Sequence, residues 1–438
     1  MVQRLRITDA RVPLCLVEGE FADAGEGLAR VDIEIADRRI AGLRPAAAEV
    51  NPGSATVPDG AARIDQDGGQ VWPGFVDCHT HLDKGQTWPR APNPDGSFGA
   101  AVEAVRADRT NWSAEDLRRR FDFGLRCAFA HGTVAIRTHL DCARPLWRTN
   151  WEVFAELRED WAERITLQAV SLAALEDLQD GFGDALADLV ASERGVLGAA
   201  TYMHPAIDRQ LDRLFALADA RGLDLDLHVD ESLDPMARSL RHIAEAALRQ
   251  RFAGKIVCGH CCSLAVQAPD EALCTLDLVA QAGIAVVSLP MCNLYLQDRA
   301  PGRTPRRRGV TLLHEMAARG IPVAIASDNC RDPFFAYGDL DLLEVFREAV
   351  RIAQLDCPVG AWPAAVTRTP ARTLCLPDAG VVRVGAAADL VLFRARHYSE
   401  LLSRPQADRI VLRAGQPIDT TLPDYRELDH LFEAALRV

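Results

Sequence analysis

His79 and His81 stand two residues apart at the end of the apolar run Val71–Cys78. Side chains alternate faces along a strand, so two imidazoles at i and i+2 on a strand tip point the same way and can grip one metal ion. Three further apolar runs end in residues of related chemistry. Leu225–Val229 contains His228 and is followed by Asp230 and Glu231, Ile256–Gly259 leads into His260, and Val323–Ser327 leads into Asp328 and Asn329. Three neutral imidazoles and a carboxylate form a mixed nitrogen and oxygen shell suited to Zn²⁺ or Fe²⁺, with one position left for water. Such an ion lowers the pKa of its water from about 15.7 toward about 7, which supplies a nucleophile at neutral pH. The expected metal ligands are therefore His79, His81, His228 and Asp328. Asp328 can also accept the water proton, and Glu231, just past His228, can carry a proton to a ring nitrogen or leaving group. His260 can donate to a developing oxyanion or orient the water.

These residues need a scaffold that brings distant strand ends together. From about residue 71 to 377 apolar strands alternate with amphipathic helical patterns. The strands are read at 71–78, 133–139, 165–171, 195–200, 223–229, 255–260, 283–289 and 321–327, and helical patterns include Ser113–His131, Ile207–Arg221, Ser239–Phe252, Asp270–Ala282 and Leu312–Arg319. Eight strands alternating with helices predict a (β/α)8 barrel, whose catalytic groups come from the C-terminal ends of several strands. The candidate residues fall at those ends. Residues 1–70 and 378–425 read as short strands that join into one composite β-sandwich, including Arg4–Ile7, Arg30–Ala36, Val381–Val384 and Arg409–Arg413, and residues 426–438 read as a helical tail. His131 is expected at a helix end and His139, with Asp141, at the barrel mouth, neither as a ligand.

The 438 residues suffice for a large α/β domain with an appendage, and a formal charge of −13 argues against nucleic acid or an anionic membrane as partner. No stretch approaches the apolar length that spans a bilayer and the N-terminal residues carry no apolar leader pattern, so a cytoplasmic protein is expected. The twelve cysteines are scattered and expected to be reduced, and the Cys258–Cys262 segment lacks the second ligand pair of a closed zinc site. Lys84 and Lys255 are the only lysines, so no lysine is available mid-barrel to form a carbamate bridge between two ions, and one metal ion is expected. Arg306-Arg307-Arg308 reads as a solvated or substrate-proximal loop. Motifs of serine hydrolases, zincins, P-loop enzymes and small zinc deaminases are absent.

The segments Pro73–Lys84, Arg137–Asp141, His228–Glu231, Asn293–Gln297 and Ser327–Asn329 through Asp332–Phe334 resemble the cytosine deaminase group of the amidohydrolase superfamily over nearly the whole chain. The resemblance implies a mononuclear Zn²⁺ or Fe²⁺ hydrolase that replaces an exocyclic amino group of an N-heterocycle with oxygen. By position it matches His79, His81, His228 and Asp328 to the ligands, Glu231 to the proton shuttle and His260 to the histidine beside the water. Ala174 stands where cytosine deaminases present a glutamine, and Asn329 where the bacterial pattern has a second aspartate. A methylated pyrimidine, a purine-like ring or a pterin is therefore as well suited as cytosine. Gln86, Tyr202, His204, Asn329 and Phe334 are candidate substrate contacts near strand tips. The expected partner is a small heterocycle, with a homo-oligomer as the assembly. The alternatives are hydrolysis of a ring amide or N-alkylamino substituent, as with hydantoins and s-triazines, and a barrel that binds a heterocycle without turnover.

Overall fold

The computed structural model describes residues 4–46 and 62–432. Its strands run in the order β1 Arg4–Pro13, β2 Leu28–Ala36, β3 Arg39–Pro45, β4 Ala62–Asp65, β5 Val71–Pro73, β6 Phe75–Thr80, β7 Thr133–Asp141, β8 Thr166–Leu172, β9 Leu197–Thr201, β10 Leu225–Val229, β11 Ile256–His260, β12 Ala285–Ser288, β13 Val323–Ile325, β14 Leu390–Leu392, β15 Ile410–Arg413 and β16 Gln416–Pro417. The chain forms two compact units, the first made of residues 1–76, 128–135 and 342–422, the second of 77–127, 136–341 and 423–438.

In the first unit, sheets ordered β3-β2-β1-β4 and β16-β15-β14-β5 come from both ends of the chain. Trp72 anchors its core edge-on to Phe346 and Phe393, with ring centroids 5.6 and 6.3 Å away. Such pairs add about 0.5–1.5 kcal/mol each beyond area burial. The strand expected at Val381–Val384 is reduced to a single bridge between Val17 and Val382. Gly380 and Gly385, at φ 69° and 89°, bend the chain on either side of it.

The barrel comprises β6 to β13. Strands β9 to β13 form one parallel sheet and β6 to β8 another. Bridges Val170–Val196 and Ala174–Ala200 join β8 to β9, and a parallel bridge from Thr80 to Asp328 closes the circle. All eight expected strands are present, with one difference. The run 71–78 is two strands, because Pro73-Gly74 breaks it: β5 pairs antiparallel with β14, while β6 enters the barrel. A Cβ on Gly74 would lie 2.2 Å from Val134 Cγ1, so this turn accepts no side chain.

Helices Ala114–Ala130, Ile207–Asp219, Ser239–Gln250, Pro269–Gln281 and Leu313–Ala318 fall on the helical patterns to within about two residues at each end. In the tail, Tyr425–Leu431 is a 3-10 helix and 433–438 lie outside the described residues. Among the described residues no helix is long and apolar enough to cross a membrane. All twelve cysteines are free thiols.

Candidate metal centre and cavity

Strand alternation places the first layer of the site. In β10, Leu225, Leu227 and Val229 share one face and leave Asp226 and His228 on the other. Asp226 receives Arg137 Nη1 at 2.9 Å and lies 3.3 Å from His139 Nε2, which closes a charged floor inside the barrel. The His139 ring lies under His79 with centroids 3.9 Å apart. His139 is therefore an interior residue and not one of the mouth, because it shares the inward face of β7 with Arg137. Its Nδ1 is buried without a hydrogen bond.

Above this floor, His228 Nε2 lies 3.2 Å from His79 Nε2 and 3.1 Å from His81 Nε2, and Asp328 Oδ1 lies 3.5 and 3.3 Å from the same two nitrogens. Donors about 2.0–2.1 Å from a tetrahedral ion are roughly 3.3 Å apart, so the donor set fits one divalent ion. The accounting of hydrogen bonds points the same way: both carboxylate oxygens of Asp328 are buried with no hydrogen-bond donor. Burial, then the neighbouring imidazoles and Lys84, holds the rings of His79, His81 and His228 well below the ordinary histidine range, so all present neutral lone pairs. The close approach depends on Gly259, where a Cβ would meet His79 Cε1 at 2.9 Å.

Two strand ends are turned by left-handed backbone. Asp328 has φ 66° and its N–H donates to His79 O at 2.9 Å, so the residue that closes the barrel also faces the histidines. His260 has φ 68°, which takes its side chain off the alternation of β11 and brings its ring centroid within 5.0 Å of His228. Positive φ at non-glycine residues is costly and clusters at functional sites.

Glu231 and His260 share a partner that the spacing of the sequence did not single out. Asn293, in the short helix Pro290–Leu296, donates its amide to Glu231 Oε1 at 3.2 Å and to His260 Nδ1 at 3.0 Å. With Nδ1 accepting, the His260 proton sits on Nε2, which is buried and has no partner. Burial lowers the His260 pKa to about 3, so this ring is a neutral donor. Burial and the adjacent Asp328 carboxylate push Glu231 well above the usual carboxylate range.

These groups open into a cavity of about 320 Å³. Tyr202, Asn329 and Phe334 line it, as does Ala174. Gln86 and His204 do not. Gln86 has φ 66°, and both ends of its amide engage the loop after β13, donating to Cys330 Sγ and accepting from Arg331 Nε at 3.1 Å. His204 is exposed and its Nδ1 accepts the N–H of Ala206, which turns the ring into its own loop.

Residues 152–419 match the Amidohydrolase family, and 98% of this chain aligns at 54% identity with 97% of the pterin deaminase of Rhizobium rhizogenes. The chain belongs to the amidohydrolase family. This amidohydrolase is also 26% identical over 344 residues to the N-isopropylammelide isopropyl amidohydrolase of a Pseudomonas species, covering 76% of this chain and 81% of that protein. Among solved structures, 5-methylcytosine deaminase from Klebsiella pneumoniae liganded with 5-fluorocytosine superposes with a TM-score of 0.81 over 96% of this chain and 98% of that one, at 24% identity, a likeness of fold. N-isopropylammelide isopropylaminohydrolase from Burkholderia multivorans gives 0.75 at 26% identity, over 96% of this chain and 100% of that one.

Proposed function

We propose that this amidohydrolase hydrolyses the exocyclic amino group of a 2-amino-4-oxopteridine, leaving a ring carbonyl and releasing ammonia. The observation that carries the reading is the 54% identity, over 98% of the chain, to a protein named pterin deaminase. Ala174 on the cavity wall supports it, since a methyl in place of a long amide leaves room beside the first ring for a second. The ion would be Zn²⁺ or Fe²⁺, held by His79, His81, His228 and Asp328. A divalent ion there supplies Lewis acidity, which lowers the pKa of water from about 15.7 toward about 7.

The chain's own residues account for the proton movements. The water oxygen bonds to the carbon that bears the amino group, and Glu231 takes a water proton and passes it to the adjacent ring nitrogen. Asp328 accepts the second proton and returns it to the amino nitrogen. The C–N bond then breaks, ammonia leaves and the carbonyl remains. His260, held by Asn293 with its proton on Nε2, donates to the oxygen that becomes the carbonyl. The hydrogen-bonded floor of Arg137, Asp226 and His139 keeps the His79 ring in place from below. A homo-oligomer in the cytoplasm belongs to the same reading, and light scattering on the purified protein tests the assembly.

Ammonia release by metal-replete protein across aminopteridines, aminopyrimidines, aminopurines and s-triazines tests the reaction. The aminopteridines are expected to be fastest. A second reading, cleavage of an N-alkylamino substituent, has the 26% likeness to the N-isopropylammelide enzymes in its favour. It predicts alkylamine and not ammonia from the triazines. Tight binding with neither product would instead mark a non-catalytic barrel.

A further inference from the structure

Lys84 lies on the loop that leaves β6, three residues past His81. Its side chain lines the cavity and the residue is 5% exposed. Among the described residues its ammonium makes no ion pair and no hydrogen bond; its contact is the Phe334 ring, 5.4 Å from the centroid. The other cations of the cavity are committed, Arg109 to Asp141 and Arg106 to Glu103. Nearby Asp332 accepts from Asn329 Nδ2 at 2.7 Å and from the N–H of Phe334 at 2.8 Å. The carboxylates of Glu231, Asp328, Asp332 and Asp83 feel its charge, which opposes the upward push of burial on each, but none lies within ion-pair distance, so the N–H donors of a buried lysine are left without an acceptor.

The backbone under Lys84 is held on both sides. Arg120 Nη1 donates to the carbonyls of Asp83 at 2.6 Å and Gly85 at 2.9 Å, and Thr87 Oγ1 donates to Lys84 O at 2.8 Å. A flexible side chain thus starts from a pinned base beside the reacting groups, with a donor to spare.

Resting on the pteridine reading above, we infer that Lys84 is a specificity-determining residue whose ammonium donates to the ring carbonyl oxygen conjugated with the scissile C–NH2 group. When the water oxygen bonds to the amino-bearing carbon, the C=N π pair moves onto the ring nitrogen and through the neighbouring carbonyl onto its oxygen. The ammonium stabilises that charge as it develops, without transferring a proton; the pair ends in the N–H bond that Glu231 completes, and a pair from the new oxygen forms the carbonyl as ammonia departs. A ring with a second amino group in place of the carbonyl would turn N–H donors toward an ammonium, so diamino rings are rejected.

The test measures kcat/KM on 2-amino-4-oxopteridine and on 2-aminopteridine, which lacks the oxygen, with the inhibition constant taken for any ring that is not turned over. Wild type, Lys84→Met and Lys84→Arg are compared, with metal content and thermal melting determined for each. Lys84→Met is expected to lose between about tenfold and a hundredfold on the oxo ring, the range for a hydrogen bond to a charged group, and to stay within about twofold of wild type on the ring without oxygen. Lys84→Arg should fall between the two on the oxo ring. Should Lys84→Met melt below the assay temperature, the same selective loss in Lys84→Arg decides. Equal losses on both rings, or none on the oxo ring, would overturn the inference. If wild type releases no ammonia from any ring, the deaminase reading fails by itself, and fluorescence titration with 2,4-dioxopteridine then judges Lys84: weaker binding in Lys84→Met supports it and equal binding refutes it.

Discussion

Two buried polar clusters of the second unit follow opposite rules. In the network of Arg120, Asp116, Arg90 and Asp108 each charge is met: Arg120 Nε and Nη2 donate to Asp116 Oδ2 at 2.9 and 2.7 Å, and its Nη1 takes the two loop carbonyls. Asp108 receives Arg90 Nε at 2.7 Å and Trp112 Nε1 at 2.8 Å, and Arg90 also bridges to Asp116. Around Asp328, by contrast, both carboxylate oxygens are buried with no hydrogen-bond donor in the chain, and they face the Nε2 atoms of His79 and His81. The titration directions divide in the same way. Asp116 is opposed by burial yet drawn below the usual carboxylate range by Arg90 and Arg120, whereas burial pushes Asp328 up. Most buried polar groups in a structural role close their hydrogen bonds internally, and a carboxylate with both oxygens open toward converging imidazole nitrogens fits an ion instead.

The sharpest way to break this contrast is to remove one donor from the open cluster. His228→Ala is expected to lose the ion and all turnover while the fold persists, read by metal analysis and circular dichroism. Full metal occupancy in that variant would refute the ligand assignment. Glu231→Gln should keep metal and ligand binding but lower kcat by about a hundredfold to ten-thousandfold, the range for a positioned acid or base. Unchanged kcat would take Glu231 out of the reaction.

In the closed cluster the effect should appear in stability. Arg120→Met leaves two loop carbonyls without their donor and Asp116 with Arg90 alone, so the loss should approach but not exceed the about 3–5 kcal/mol that breaking a whole buried pair costs. Denaturant unfolding would show it, and a loss under about 1 kcal/mol would mean that the network is dispensable. Asn293→Ala lies between the clusters in character. Removing the amide that Glu231 and His260 share should cost about 1–3 kcal/mol in kcat/KM, carried mainly by kcat. A change confined to KM would show that Asn293 touches the substrate and does not position the two groups.

Much of this was legible in the sequence because strand ends announce themselves. Apolar runs that stop at His79, His228, His260 and Asp328 marked both the barrel and its working edge, since closing the strands brings their C-terminal ends together. Sequence proximity to a strand tip does not set direction, however. Gln86 and His204 sit near tips, yet a left-handed backbone turns one into the neighbouring loop and a local hydrogen bond turns the other back on its own. His139 was legible in principle, since it is two residues from Arg137 on the same face of a buried strand. Asn293 opens one of the segments that carried the family resemblance, but no spacing gave it a role, because it reaches Glu231 and His260 from a short helix across the mouth. The identity of the ring was not written in any one motif, since it depends on cavity walls drawn from several loops.

The central claim is that the open cluster around Asp328 takes one ion and with it deaminates an amino-oxo ring. Titrating chelator-stripped protein with Zn²⁺ or Fe²⁺ while following ammonia release from 2-amino-4-oxopteridine tests it most directly. The account predicts no activity without metal and a linear rise that breaks at one ion per chain. Undiminished ammonia release from fully stripped protein, or a break at two ions, would contradict it.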